Sequence, residues 1–221
     1  MTAYKSREIS RIVEESLESM PVTVLSGMRQ TGKSTLLLNH PKFKKRRYLS
    51  LDDFSTLEAA RNNPEDLLSG DEPVTIDEAQ KHSEILNIIK KIVDKSRRPG
   101  HFLLSGSANF LRLKKVSESL AGRAVYITLH PFTRREALGL TKEKPAIGYF
   151  IDEAEIPKRS VKSVTINEVL RGGMPSVCLG EAKRPQVWFR GYEQTYLERD
   201  IRDMSQRSEE RRVGKECRSR W

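Results

Sequence analysis

Cysteine is scarce in this sequence. Cys178 and Cys217 are the only two in 221 residues, too few for a disulfide framework and without the paired spacing of a zinc site. The four histidines, His40, His82, His101 and His130, are scattered without ligand spacing, so no structural zinc is expected. No apolar run approaches the roughly 18 residues of a membrane span. Met1-Thr2-Ala3-Tyr4-Lys5 lacks the apolar segment of a secretory signal. These absences point to a cytoplasmic protein with no membrane partner.

Apolar order is also missing from the last fifteen residues, Arg207 to Trp221. They can be back-translated codon by codon into a frame of a common sequencing-library adapter beginning AGATCGGAAGAGC. The expectation is that natural coding sequence stops near Gln206 and that 207–221 is an artefactual tail, to be kept out of fold reasoning. Six basic and three acidic residues lie in that tail, so the net charge of +10 becomes +7 for the remainder. The surplus is basic but modest.

What is present is a phosphate-binding pattern. Gly27-Met28-Arg29-Gln30-Thr31-Gly32-Lys33-Ser34, with Thr35 behind it, reads G-x-x-x-x-G-K-S. Glycine at both ends lets the backbone approach a phosphate, and the intervening N–H groups converge on it at a helix N-terminus. Lys33 would reach the β- and γ-phosphates, and the Ser34 hydroxyl would ligate Mg²⁺. The context agrees, because an apolar run, Pro21 to Ser26, precedes the loop and an apolar helix opens at Ser34.

The chain on either side alternates strands and helices. An amphipathic helix is expected over 5–19 from the spacing of Ile9, Ile12, Val13 and Leu17. After His40-Pro41, Lys42-Phe43-Lys44-Lys45-Arg46-Arg47 places five bases in six residues, read as a solvated approach to the next strand in preference to a nucleic-acid patch. Arg47 to Asp53 reads as that strand, its closing Asp52-Asp53 taken as a strand end and the cap of a helix from Phe54 to Arg61 in preference to catalytic carboxylates. Pro73 to Ala79 is an apolar strand ending in Asp77-Glu78. In P-loop enzymes this is the Walker B site, where the aspartate holds Mg²⁺ and the glutamate polarises the attacking water. A helix with Ile85, Ile88, Ile89, Ile92 and Val93 on one face follows.

His101 to Asn109 is a fourth strand ending in small polar residues. Ser105 and Ser107 there either sense a γ-phosphate or cap the next helix, Phe110 to Ala121. Ala124 to Leu129 is the fifth strand. Five strands separated by helices imply a parallel sheet with the ligand at its carboxyl edge. Residues 140–163 read as an exposed linker or insertion. Thr165-Ile166-Asn167-Glu168 is a capping box that opens a short helix. A last helix from Pro185 carries Trp188, Tyr192, Tyr196, Ile201 and Met204 along one side.

The P-loop, Tyr48-Leu49-Ser50-Leu51-Asp52-Asp53, Ile76-Asp77-Glu78-Ala79-Gln80, Leu104-Ser105-Gly106-Ser107, Ser119-Leu120-Ala121-Gly122-Arg123 and Gly172-Gly173-Met174-Pro175 together resemble the prokaryotic AAA+-type predicted ATPases. In that family an ATPase core is joined to a C-terminal domain of unknown function. The resemblance spans residues 1 to about 206. It implies an α/β P-loop NTPase fold with a five-stranded parallel sheet in the order 5-1-4-3-2 and a small helical lid. The implied organisation is an ATPase core over 1–133, then a linker and lid over 134–206 leading into a truncated C-terminal domain. The implied cofactors are ATP and Mg²⁺, the metal held by Ser34 and Asp77, with Glu78 and Lys33 catalytic. Arg123 occupies the position at which related proteins place an arginine that acts on a neighbour's ATP. Arg171, before Gly172-Gly173, stands where a lid sensor would.

The leading expectation is therefore an ATP hydrolase coupling nucleotide state to conformational change, acting as a homo-oligomer or on a protein or DNA partner. A nucleotide-dependent DNA- or protein-binding switch with negligible turnover is the alternative. A small-molecule P-loop kinase ranks third, since such kinases seldom place Asp-Glu together and no acceptor pocket is legible.

Overall fold

The structure, a computed structural model, describes residues 4–107, 120–152 and 163–196. The chain divides into two compact units, Met1–Cys178 and Leu179–Trp221. In the first, β1 (Val22–Gly27), β2 (Arg47–Ser50), β3 (Val74–Asp77), β4 (Phe102–Ser107) and β5 (Ala124–Thr128) form one sheet. Its order is β2-β3-β4-β1-β5 and every pairing is parallel. This is the order 5-1-4-3-2 implied by the family resemblance, read from the other edge.

Parallel strands covered on both faces need continuous apolar runs rather than alternation, and all six residues of β1 are buried. Successive side chains on a strand point to opposite faces, so two cores result. Val22, Val24, Ile76, Phe102 and Leu104 meet Ile85, Leu86, Ile89 and Val93 of α5 (Ile85–Lys95) on one face. Leu25, Leu103 and Ile127 meet Val13 of α1 (Ser10–Ser19) and Leu36 and Leu37 of α2 (Lys33–Asn39) on the other. The helices thus sandwich the sheet and leave its two ends open.

Between these elements lie α3 (Phe54–Asn62) and α4 (Pro64–Leu67). Asp53 caps α3, accepting from the Thr56 backbone N–H at 3.0 Å. Among the described residues of this unit, four short helices follow β5: α6 (Arg134–Ala137), α7 (Ala146–Ile151), α8 (Ile166–Arg171) and α9 (Pro175–Cys178). Thr165 and Glu168 form the expected capping box on α8, and Thr133 and Glu136 form a second one on α6.

Two local expectations change. The first helix begins at Ser10, not residue 5, and Arg7 and Glu8 ahead of it make tertiary bonds. The Glu8 backbone N–H donates to Glu136 Oε1 at 2.7 Å, and the Arg7 guanidinium is buried. The basic run 42–47 is not uniformly solvated. Lys42 pairs with Glu14 at 2.6 Å, while Arg46 donates to Thr75 Oγ1 and to the carbonyls of Val74 and His101. Burial lowers the Arg46 guanidinium to about 10.

In the second unit, residues 185–196 are helical; this stretch is α10. Trp188 stacks on Tyr192 at 5.1 Å between ring centroids, and Tyr192 on Tyr196 at 5.9 Å, the spacing expected of residues four apart. The expected helix 110–121, apart from its last two residues, lies outside the described residues, as do Ile201, Met204 and the tail 207–221.

Candidate nucleotide-binding site

The loop from Gly27 to Gly32 leaves the carboxyl end of β1 and runs into α2. Two features require glycine. A Cβ on Gly27 would stand 2.4 Å from the Leu129 carbonyl oxygen, so the loop lies against the chain leaving β5. Gly32 caps α2 at φ +91°, in the left-handed region. Gln30 also has positive φ, at 60°. Lys33 is buried and its ammonium donates to the carbonyls of Gly27 at 3.0 Å and Met28 at 2.9 Å. Burial pulls that ammonium below its ordinary value, opposed by the charges of Glu78 and Asp77. A glycine cradle around a buried ammonium with no carboxylate in ion-pair range among the described residues fits a phosphate group. Thr31 closes the loop internally, its hydroxyl donating to the Met28 carbonyl at 2.9 Å.

Asp77 ends β3 and is buried. The Tyr48 hydroxyl, from β2, donates to Asp77 Oδ2 at 2.5 Å, and the Ser105 hydroxyl, from β4, donates to Oδ1. Burial, followed by the hydrogen bond to Asp77, raises the Tyr48 phenol well above its ordinary value, keeping it a donor. The Ser34 side chain reaches the same hydroxyl. Ser34, Tyr48 and Asp77 thus form one cluster of hard oxygens, which fits a divalent cation such as Mg²⁺.

Glu78 follows at φ 56°, an uncommon conformation for a residue with a Cβ. Its side chain accepts from the Gln80 amide, and its backbone N–H donates to Asp77 Oδ1 at 3.1 Å. Strain of about 1–3 kcal/mol at such a residue persists only where the surroundings enforce it, commonly at functional sites.

Ser107 is in register with Gly27 across the β1–β4 ladder, at the sheet's carboxyl edge. Gly27, Lys33, Ser34, Asp77, Glu78 and Ser107 therefore converge on one edge. Arg123 does not join them. It precedes β5, its carbonyl accepts from the Val22 N–H, and Val22 pairs with Ala124 at the opposite end of the sheet. There its guanidinium chelates Asp94, Nε to Oδ1 at 2.6 Å and Nη2 to Oδ2 at 3.0 Å. Arg171 lies in the last turn of α8.

Two participants, Tyr48 and Arg7, escape a reading of the sequence, and a third, Ser105, has a different role from the one expected. Tyr48 was legible only as a strand residue. Ser105, expected like Ser107 either to sense the γ-phosphate or to cap the next helix, is instead the serine that touches Asp77, because it sits one pleat further down the strand. Arg7 has no local signal at all. Its guanidinium donates to the Thr31 carbonyl of the P-loop at 2.9 Å and to the His130 carbonyl at 2.5 Å. It stands 4.3 Å over the Phe132 ring and 3.2 Å from Glu136 Oε1. Phe132 in turn donates its N–H to Gly173 at 2.7 Å, and a Cβ on Gly173 would sit 2.2 Å from the Phe132 oxygen. One buried arginine thus ties the phosphate loop to the segment that carries α6 and α8.

A parallel sheet of this order, with a glycine loop after its first strand and Asp-Glu after its third, defines a P-loop NTPase of the AAA type. The chain belongs to the AAA domain family AAA_14, whose model matches residues 19–138. Two uncharacterized proteins, Mb2031c of Mycobacterium bovis and Rv2008c of Mycobacterium tuberculosis, are each 29% identical to it over 204 residues. The match covers 91% of this chain and 41% of each relative, so the chain spans about two fifths of their length. Among solved structures it is similar to a DNA replication initiation factor, with a TM-score of 0.50 and 18% identity over 91% of this chain and 66% of that one. It is also similar to a Walker-type ATPase of Pyrococcus abyssi, with a TM-score of 0.47 and 20% identity over 96% and 76% of the two chains. At such identity the likeness is one of fold.

Proposed function

We propose that this domain binds ATP with Mg²⁺ and hydrolyses it to ADP and phosphate, and that nucleotide state is passed to the helices after β5. The observation that carries the reading is Glu78, held at positive φ beside a doubly anchored Asp77 and within electrostatic reach of the P-loop Lys33. Amides of residues 28–33 would bind the phosphates, Lys33 would exchange its two carbonyl partners for phosphate oxygens, and Thr35 extends the helix start behind them. Ser34 and, through water, Asp77 would hold the metal, which supplies charge neutralisation between the phosphates. Glu78 would take a proton from water, and Ser107 would contact the terminal phosphate from β4. Arg7 offers the mechanical link, since any shift of Thr31 is felt at Phe132 and Gly173.

The test is steady-state hydrolysis beside nucleotide affinity. Glu78→Gln is expected to lower turnover by roughly 10²- to 10⁴-fold while keeping ATP affinity. Lys33→Ala is expected to abolish binding. Unchanged turnover in Glu78→Gln would overturn the assignment of the base. ATP binding by the parent chain with no turnover at all would instead favour the nucleotide-dependent switch.

A further inference from the structure

Glu78 opens a tight turn, and the residue that the turn returns to it is Gln80. Residues Ala79–His82 form one short helical turn, closed by the Lys81 N–H donating to the Glu78 carbonyl at 2.9 Å. Ala79 is fully buried in the core that contains Leu51 and Ile76, which anchors the turn. With Glu78 in the left-handed region, at φ 56° and ψ 40°, the chain doubles back at once. The Gln80 amide then donates to Glu78 Oε2.

That bond is the one use of each side chain. Gln80 makes no other side-chain hydrogen bond among the described residues, and its carbonyl oxygen is buried without a partner. A buried acceptor lacking a donor costs stability, so the fold's own hydrogen bonding does not account for this amide. Glu78 Oε1 likewise makes no hydrogen bond among the described residues. One carboxylate oxygen is thus tethered and the other is left to accept a proton. A glutamate side chain turns about three torsions, and a base reacts fastest when it is held in one productive place. The held carboxylate lies toward the nucleotide loop. Its charge does more than that of Asp77 to oppose the lowering of the buried Lys33 ammonium, and it also acts on the Tyr48 phenol.

We propose that Gln80 is a positioning residue for hydrolysis, its amide holding Glu78 in the rotamer from which the free oxygen deprotonates water. In that step the water oxygen bonds to the terminal phosphorus, its proton passes to Glu78 Oε1, and ADP leaves with the bridging oxygen. The inference rests on Glu78 being the base and adds the group that sets that base in place.

Gln80→Met tests it, because methionine keeps the side-chain length while removing both the donor and the unpartnered acceptor. Stability in urea is therefore expected to be kept. In steady-state hydrolysis kcat is expected to fall roughly ten- to hundredfold, the usual cost of losing a supporting partner, with KM for ATP nearly unchanged. The double variant with Glu78→Gln is expected to be no slower than Glu78→Gln alone, since a group acting only through the carboxylate then has nothing to position. The contact itself is read by NMR without nucleotide, in the full chain carrying isotopically labelled glutamine. The Gln80 side-chain amide signal, identified by its loss in Gln80→Met, is expected to move in Glu78→Ala. A kcat unchanged or raised in Gln80→Met, losses that multiply in the double variant, or an amide signal indifferent to Glu78→Ala would overturn the positioning role alone. No turnover in the parent, or unchanged turnover in Glu78→Gln, overturns the base and the positioning role together.

Discussion

Asp77 is the residue on which the candidate site turns, and its environment is more constrained than a strand-end carboxylate requires. Both oxygens are occupied by hydroxyls, from Tyr48 and Ser105, on the strands to either side. That arrangement fixes the carboxylate plane before any cation arrives, which is what a metal ligand needs from its supporting shell. Tyr48→Phe removes one of these bonds and leaves a buried acceptor short of a donor. It is expected to lower stability by about 1–3 kcal/mol in urea unfolding. It should also raise the Mg²⁺ concentration for half-maximal hydrolysis severalfold, with nucleotide affinity in the absence of Mg²⁺ unchanged. A stability loss without any shift in metal dependence would make Tyr48 a packing residue only.

Among the elements, the short helix α6 has a larger role than its single turn suggests. Glu136 caps it, accepts the Glu8 N–H and faces Arg7, with both charged side chains about 4% exposed. Removing one partner of a buried pair strands the other charge, at a cost of about 3–5 kcal/mol. Glu136→Ala is therefore expected to lose that much in chemical unfolding, and Glu136→Gln, which strands the same Arg7 charge and has one acceptor oxygen for the two backbone N–H groups now held by separate oxygens, nearly as much. Parent-like stability in Glu136→Gln would mean that the charge of Glu136 is immaterial. The cap on α3 gives a pH test of opposite kind, at an exposed site. The Ser55 hydroxyl first, then the Thr56 N–H and hydroxyl, holds the Asp53 carboxyl below its ordinary value. A carboxyl lowered on folding contributes its stability above the unfolded value, about 3.9, and loses it as pH falls through the folded one. Asp53→Ala should thus unfold at lower urea than the parent at neutral pH and converge with it in strong acid. A constant difference across that range would exclude the ionised cap.

These elements also show what a sequence makes legible. The P-loop, Asp77-Glu78, Asp53 and the Thr165–Glu168 box declare themselves because their partners lie within a few residues. The strand positions were readable because buried parallel strands are uninterrupted apolar runs, whereas their spatial order came from the family resemblance rather than from spacing. Arg7 finds partners 24 and 123 residues away, and nothing local distinguishes it from the arginine at position 11, which merely pairs with Glu15 on the surface of α1. Tyr48 became a site residue, and Ser105 a partner of Asp77, only when the order of β2, β3 and β4 set them on either side of that carboxylate. Long-range polar partners are a property of topology, not of pattern.

At the scale of the whole molecule, the two ends of one sheet carry different chemistry, and Arg123 is the test of what that separation means. It sits at the amino end, about one strand length, roughly 20 Å, from Gly27 and Lys33. In its own chain it cannot contact a nucleotide held at the loop, so any catalytic contribution must be made to a neighbouring copy. It must first leave Asp94, which holds it through two bonds and raises its pKa. An arginine finger working between copies makes turnover per chain rise with protein concentration, because the complete site exists only in the assembly. Arg123→Ala is then expected to remove that concentration dependence while nucleotide affinity stays the same. Asp94→Asn should release the guanidinium and raise turnover at low protein concentration, where assembly is limiting. Hydrolysis strictly proportional to protein concentration in the parent chain, together with unchanged turnover in Arg123→Ala, would make the Arg123–Asp94 pair a clamp between α5 and the start of β5 and nothing more. The two results are mutually exclusive, and a dilution series with the two variants decides between them.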